Sequence, residues 1–224
     1  MKSSIFGFSE DEMANAFRKV VLSPNGLPGI GVFGSVYSEI SCRQGRPDFI
    51  AFSKQHRKWP SNMNSNIKSL DIRILSLLKP LSPRTTKYIA AQINCPLITI
   101  KNVFKKLKKE QLVRQTKTGS YILNKILDPS NNELTVFELK LNNPKRAIFQ
   151  AQQSKNYASR TIIVIPPRQN KNYKKFKNTL SRWGIGLAVF DPLNKTFNLV
   201  KRPRKSKPLS NYDYINTLLQ ISRT

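Results

Sequence analysis

The sequence predicts an α/β protein whose core is interrupted by a compact helical unit. Three observations carry this. Residues 126–224 alternate strand-like and helix-like stretches, the pattern of an α/β core. Two further strand-like runs, "IGVFGSVYSEISC" and "PDFIAF", precede residue 53. Between them, residues 64–125 carry three helical periodicities followed by a short hairpin.

The elements follow in order. "SEDEMANAFRKVVL", residues 9–22, opens with a capping box, Ser9 to Glu12, and Glu10, Asp11 and Glu12 suit the positive end of the helix dipole. "SPNGLPG" is a turn-rich loop, and "RQGR" turns between the two early strands. "SKQHRKWPSNMNSN" reads as a polar linker, with the lone His56 facing solvent. In "NIKSLDIRILSLLK", Ile67, Leu70, Ile74, Leu77 and Leu78 recur at helical spacing. "SPRTTKYIAAQIN" predicts a second helix with Ser82 as cap and Pro83 at its first position. "PLITIKNVFKKLKKEQLV" predicts a third, with Ile100, Val103, Phe104 and Leu107 inward. "LVRQTKTGSYIL" gives two short strands around a Thr-Gly turn. Beyond the hairpin, "LTVFELKL" is a strand, and Asn143 caps a helix starting at Pro144 and reaching about Ala158. "TIIVIPP" is a buried strand, "YKKFKNTLSRWG" a helix closed by Gly184, "IGLAVFD" a strand, "KRPRKSKP" a solvated basic run, and "SNYDYINTLLQIS" a last helix.

Charge restricts the partners. The 224 residues hold 39 Lys and Arg against 12 Asp and Glu, a net charge of +27. Acids this scarce point to a polyanion, and no long basic amphipathic helix points to a membrane surface instead. No apolar run is long enough to span a bilayer, and "MKSSIFGFSEDEM" lacks the apolar stretch of a secretory signal. Two cysteines and one histidine exclude a disulfide framework or a structural zinc site. The expected location is cytoplasmic, associated with the nucleoid if the host is prokaryotic.

Three helices followed by a hairpin resemble a winged helix-turn-helix, carried by "KNVFKKLKKEQLVRQTKTGSYIL". The resemblance implies duplex DNA binding. Thr99, Lys101, Asn102, Lys105, Lys106 and Lys109 on the third helix would face the major groove or its walls, and Arg114 and Lys117 on the wing would meet the backbone or minor groove. The lysines would position phosphates, while Asn102 and Thr99 could read base edges.

The chemistry concentrates in "VFELKL". On a strand, Glu138 and Lys140 point to one face, and Phe137, Leu139 and Leu141 fill the other. Burying an acid and a base without partners costs several kcal/mol, so each needs the other, a metal or a ligand. Asp48 opens the earlier strand "PDFIAF". Asp48, Glu138 and the Leu139 carbonyl could supply oxygens to a hard divalent ion, with water and phosphate completing the shell. Lys140 could orient the attacking water or stabilise developing charge.

Pro47-Asp48 with Glu138-Leu139-Lys140 resembles the PD-(D/E)xK, restriction-endonuclease-like nuclease superfamily. That resemblance implies a mixed sheet flanked by helices, Mg²⁺ bound by Asp48 and Glu138 (with Mn²⁺ able to substitute), and Lys140 assisting the water. It also offers Glu39 as an extra acidic ligand, and Gln153 with Tyr157 as a QxxxY pair on the following helix, with Gln150 competing for that role. Arg146 and Lys145 could touch phosphate. Ninety residues separate Asp48 from Glu138, and the winged-helix unit fills nearly all of them. The reading is a nuclease core of residues 1–63 and 126–224, carrying the basic segment 201–208, with a DNA-binding insert at 64–125. The expected activity is Mg²⁺-dependent cleavage of duplex or branched DNA, of a restriction or mobile-element type, with a homodimer possible. Two alternatives are a non-cleaving DNA-binding regulator or replication accessory on the same fold, and a structure-selective junction resolvase.

Overall fold

The computed structural model describes residues 7–53, 66–169, 173 and 175–223. The polar stretch containing His56 lies outside them. A six-stranded mixed sheet forms the centre, ordered β1-β2-β5-β6-β7-β8. Its strands are β1 (Phe33–Ser38), β2 (Phe49–Ser53), β5 (Leu134–Leu139), β6 (Arg160–Ile165), β7 (Gly186–Asp191) and β8 (Thr196–Lys201). β5, β6 and β7 run parallel, while β1, β2 and β8 pair antiparallel at the flanks.

The pleat sorts side chains to two faces. Phe137 and Leu139 of β5 join Phe49, Ala51, Ile162 and Val164 against α1 (Glu10–Val21), which buries Met13, Phe17 and Val21. Phe17 is the hub, with ring centroids 5.6 Å from Phe49, 5.2 Å from Phe137 and 5.3 Å from Phe190. The capping box expected at Ser9 is present: Oγ of Ser9 accepts from the Glu12 N–H at 3.1 Å, and the Ser9 N–H donates to Glu12 Oε2 at 2.6 Å.

The other face carries the remaining helices. Ile163 and Ile165 pack on Ala147, Ile148 and Ala151. These belong to α5 (Pro144–Ser154), whose cap Asn143 accepts from the Arg146 N–H at 3.2 Å. Leu180 of α6 (Lys177–Trp183) joins them, and Gly184, at φ +64°, closes that helix in the left-handed conformation. Leu134 and Val136 pack with Ile215, Leu218 and Leu219 of the last helix, α7 (Asn211–Ile221).

Between β2 and β5 come α2 (Ser69–Leu77), α3 (Thr86–Ile93), α4 (Leu97–Lys109) and a hairpin of β3 (Val113–Gln115) and β4 (Tyr121–Leu123). Ile100, Phe104 and Leu107 of α4 are buried as expected, and Phe104 stacks on Tyr121 at 3.9 Å between centroids. The apolar cluster formed here is continuous with the Leu134 and Val136 face of the large sheet, through α2 packed on α7.

Four local expectations need correction. Ser82 does not cap α3, because Arg84 makes a two-way backbone bridge with Tyr121, at 2.9 and 2.8 Å, that holds the chain extended. Thr85 is the cap instead, accepting from the Tyr88 N–H at 3.1 Å. Helix α5 stops at Ser154, four residues before Ala158, because the chain turns there to deliver the Ser159 N–H to the Leu134 carbonyl and start β6. The basic segment is no loose solvated tail. Lys201 ends β8, a strand the sequence reading omitted. Residues 202–209 then form a strap, with Arg204 N–H on the Gly184 carbonyl at 2.9 Å and Ser206 N–H on the Ser159 carbonyl at 3.0 Å. Among the described residues no helix is long and apolar enough to cross a membrane.

Candidate functional site

Antiparallel pairing of β2 with β5 aligns Phe49 with Phe137 and Ile50 with Val136. Asp48 directly precedes β2 and Glu138 follows Phe137 on β5, close enough for the Asp48 charge to act on Glu138, and Lys140 Nζ lies 3.3 Å from Asp48 Oδ2. Residues 90 apart in the chain thus meet at one end of two adjacent strands.

Asp48 accepts two hydrogen bonds. Its Oδ2 accepts from the Leu139 N–H at 2.6 Å and from Lys140 Nζ at 3.3 Å. Burial raises its pKa above the usual carboxylate range, and the Lys140 charge works against that rise. Lys140 Nζ also donates to Glu10 Oε1 at 2.8 Å. Burial alone would lower the lysine's pKa, but Asp48, Glu10 and Glu138 outweigh it and the net direction is upward, so Lys140 is a cation.

Glu138 is the strained member. It is 2% exposed, its Oε1 accepts from Ser154 Oγ at 3.2 Å, and its Oε2 is buried without any hydrogen-bond partner. Burial, reinforced by the nearby Asp48 charge, pushes its pKa up to about 8. A buried carboxyl oxygen with nothing to accept from costs free energy that a cation would recover.

The other expected site residues are placed differently. Glu39 sits on a turn at φ +55°, and its exposed carboxylate pairs with Arg46 at 2.5 Å. The further acid within reach of Lys140, beside Asp48, is Glu10 on α1. Gln153 lines the cleft above Glu138 together with Arg146 and Gln150, a cleft of about 250 Å³. Tyr157 reaches the same cleft from the turn after α5, so it and Gln153 do not share a helical face. Its ring is 1% exposed, and its hydroxyl lies 3.2 Å from Ser154 Oγ. Ser154 therefore links Glu138 to Tyr157, a role the sequence did not suggest. Leu139 gives its backbone N–H to Asp48.

On α4 and the β3–β4 hairpin, Lys101, Asn102, Lys105, Lys109, Arg114 and Lys117 are exposed, and Thr99 is half-buried. Lys106 differs. Its Nζ is bound to the buried Asp71 carboxylate and, at 2.5 Å, to the Asn66 carbonyl. Asp71 also accepts the Lys68 N–H at 2.8 Å at the start of α2. Lys106, its side chain 31% exposed, is thereby engaged by Asp71.

Among the described residues no three His, Cys, Asp or Glu side chains are gathered as a metal cage. Two carboxylates, one with an unpartnered oxygen, nonetheless fit the needs of a magnesium-like ion, which takes few protein oxygens and keeps water and phosphate as its other ligands. No family model, curated protein or solved structure matches the chain.

Proposed function

We propose that the chain is a Mg²⁺-dependent endonuclease of the restriction-endonuclease-like type, with residues 64–125 as an inserted winged helix that binds duplex DNA. One observation carries the reading: Asp48, Glu138 and Lys140 meet at the joined ends of β2 and β5, with a Glu138 oxygen left unpartnered. A bound ion would give the buried Glu138 Oε2 the partner it lacks. The net charge of +27 supports a polyanionic substrate. The Arg84–Tyr121 bridge supports the winged-helix reading, because it adds a third extended segment to the β3–β4 hairpin.

Asp48 and Glu138 would hold the ion. When bound, it supplies positive charge against the scissile phosphate and acidifies a neighbouring water. Lys140, fixed by Asp48 and Glu10, presents a permanent cation where negative charge develops on the phosphate. Ser154, held by Tyr157, orients the Glu138 carboxyl. The Leu139 N–H holds the Asp48 carboxylate in place. The exposed cations of α4 and the hairpin would meet the phosphate backbone, with Asn102 and the half-buried Thr99 as the base-reading candidates.

The test is cleavage of plasmid, linear duplex and branched DNA with Mg²⁺ or Mn²⁺, wild type beside Asp48→Ala and Lys140→Ala. Metal-dependent cutting lost in both variants supports the assignment. Tight DNA binding with no cutting under either metal removes it and leaves a non-cleaving DNA-binding protein.

A further inference from the structure

The cleft above Glu138 holds an aromatic side chain that the catalytic reading does not use. Phe149 is 60% exposed, the most exposed aromatic residue among those described, and it lines the same cleft as Glu138. Exposed apolar residues are ordinary on protein surfaces. This one coincides with two further features.

The first is its company on α5. Arg146, Phe149, Gln150 and Gln153 follow i, i+3, i+4, i+7 spacing and form one continuous stripe. The opposite side of the helix is the buried one, Ala147, Ile148 and Ala151. All four stripe residues line the cleft, and Arg46 faces them from the loop before β2. The second feature is an unmet polar group: Gln150 Oε1 is buried there with no hydrogen-bond partner. The cleft therefore offers an apolar ring face, an acceptor lacking its donor, and the Arg146 guanidinium, while Arg46 is held by Glu39.

We infer that Phe149 is a stacking platform for one unpaired nucleobase beside the candidate cleavage site. It follows that the preferred substrate is nucleic acid with a base already out of the duplex. The inference rests on the nuclease reading for its substrate class. A base ring matches the phenyl face, its exocyclic amine matches Gln150 Oε1, and a flanking phosphate matches Arg146. In intact duplex both faces of each base are covered by neighbours, so the ring can engage only a base that has left the stack. A cleft of about 250 Å³ has room for one nucleobase.

The experiment uses the full chain and oligonucleotides carrying one 2-aminopurine, either fully paired or in a single-base bulge, without metal. Wild type, Phe149→Ala, Phe149→Trp and Lys140→Ala are titrated, and 2-aminopurine quenching and affinity are read together. Wild type should prefer the bulge and quench its fluorescence. Phe149→Ala should lose about 5- to 150-fold of bulge affinity, the range for removing one aromatic–base stack, with much less change on paired duplex. Phe149→Trp should restore both preference and quenching. Equal bulge binding by wild type and Phe149→Ala overturns the inference, as does an equal loss on bulged and paired DNA. Cleavage of the same oligonucleotides with Mg²⁺ separates the two readings. Quenching that depends on Phe149 without cleavage by wild type leaves the platform and removes the nuclease. Equal cleavage of bulged and paired DNA by wild type and Phe149→Ala removes the platform alone.

Discussion

Glu138 makes the stability of the metal-free protein depend on pH in an unusual direction. Its pKa is pushed from 4.5 to about 8 in the folded chain, because burial and the Asp48 charge disfavour the carboxylate. Between those two pH values the folded state holds a proton that the unfolded state has released. Stability changes with pH as 2.303RT times the protons bound unfolded minus those bound folded, and that difference is negative here. The contribution is fully present below 4.5 and is lost as pH rises to about 8, at up to about 1.4 kcal/mol per pH unit, roughly 5 kcal/mol over the window as an upper figure. Glu138→Gln keeps the shape and removes the titration. Asp48, also shifted upward, and the chain's single histidine remain in both proteins and cancel in the difference. Urea unfolding in EDTA at intervals from pH 4.5 to 8.5 should show wild type losing stability against Glu138→Gln as pH rises. Parallel curves would refute the burial of Glu138 beside Asp48. Adding Mg²⁺ at pH 8 should then stabilise wild type, by about 2.7 kcal/mol at 100 times the dissociation constant, and leave Glu138→Gln nearly unmoved.

Three further outcomes are expected. Lys106→Ala should cost about 1–3 kcal/mol by leaving Asp71 buried without its cation, with little change in the salt dependence of DNA binding, whereas Lys105→Ala should keep the melting temperature and flatten the log–log salt slope by about 0.9 if it contacts one phosphate. Phe17→Ala should cost about 3–5 kcal/mol in chemical unfolding, since four ring partners lose their common neighbour. Gly184→Ala should destabilise by about 1–2 kcal/mol or more, because φ is +64° and the added Cβ would lie 2.8 Å from the Arg204 Cβ.

Elements with a strong apolar period were legible in the sequence, and elements that depend on a distant partner were not. The α1 capping box, the Asn143 cap and the Gly184 stop are encoded within four residues of where they act. Strand β8 escaped because "TFNLVK" buries only Phe197 and sits between lysines; its identity as a strand comes from pairing with β7. The Ser82–Pro83 signal is a proper helix start by local chemistry. It loses to the bridge between Arg84 and Tyr121, made with a strand 37 residues later.

The candidate site divides along the same line. Asp48, Glu138 and Lys140 could be found because an acid and a base in an apolar strand violate the pattern around them. Glu10 could not, because its position already has a local explanation in the first turn of α1, and only the fold brings it 2.8 Å from Lys140 across 130 residues. Ser154 was hidden by the expectation of a longer helix. A helix running to Ala158 would set Gln153 and Tyr157 on one face. Ending it at Ser154 instead turns Tyr157 inward, puts its hydroxyl against Ser154, and leaves Arg146, Phe149, Gln150 and Gln153 as the stripe lining the cleft. The same early stop lets the chain enter β6, whose pairing with β5 holds Glu138 opposite Ile163. One helix terminus thus sets both the strand that carries the carboxylate and the side chains that surround it.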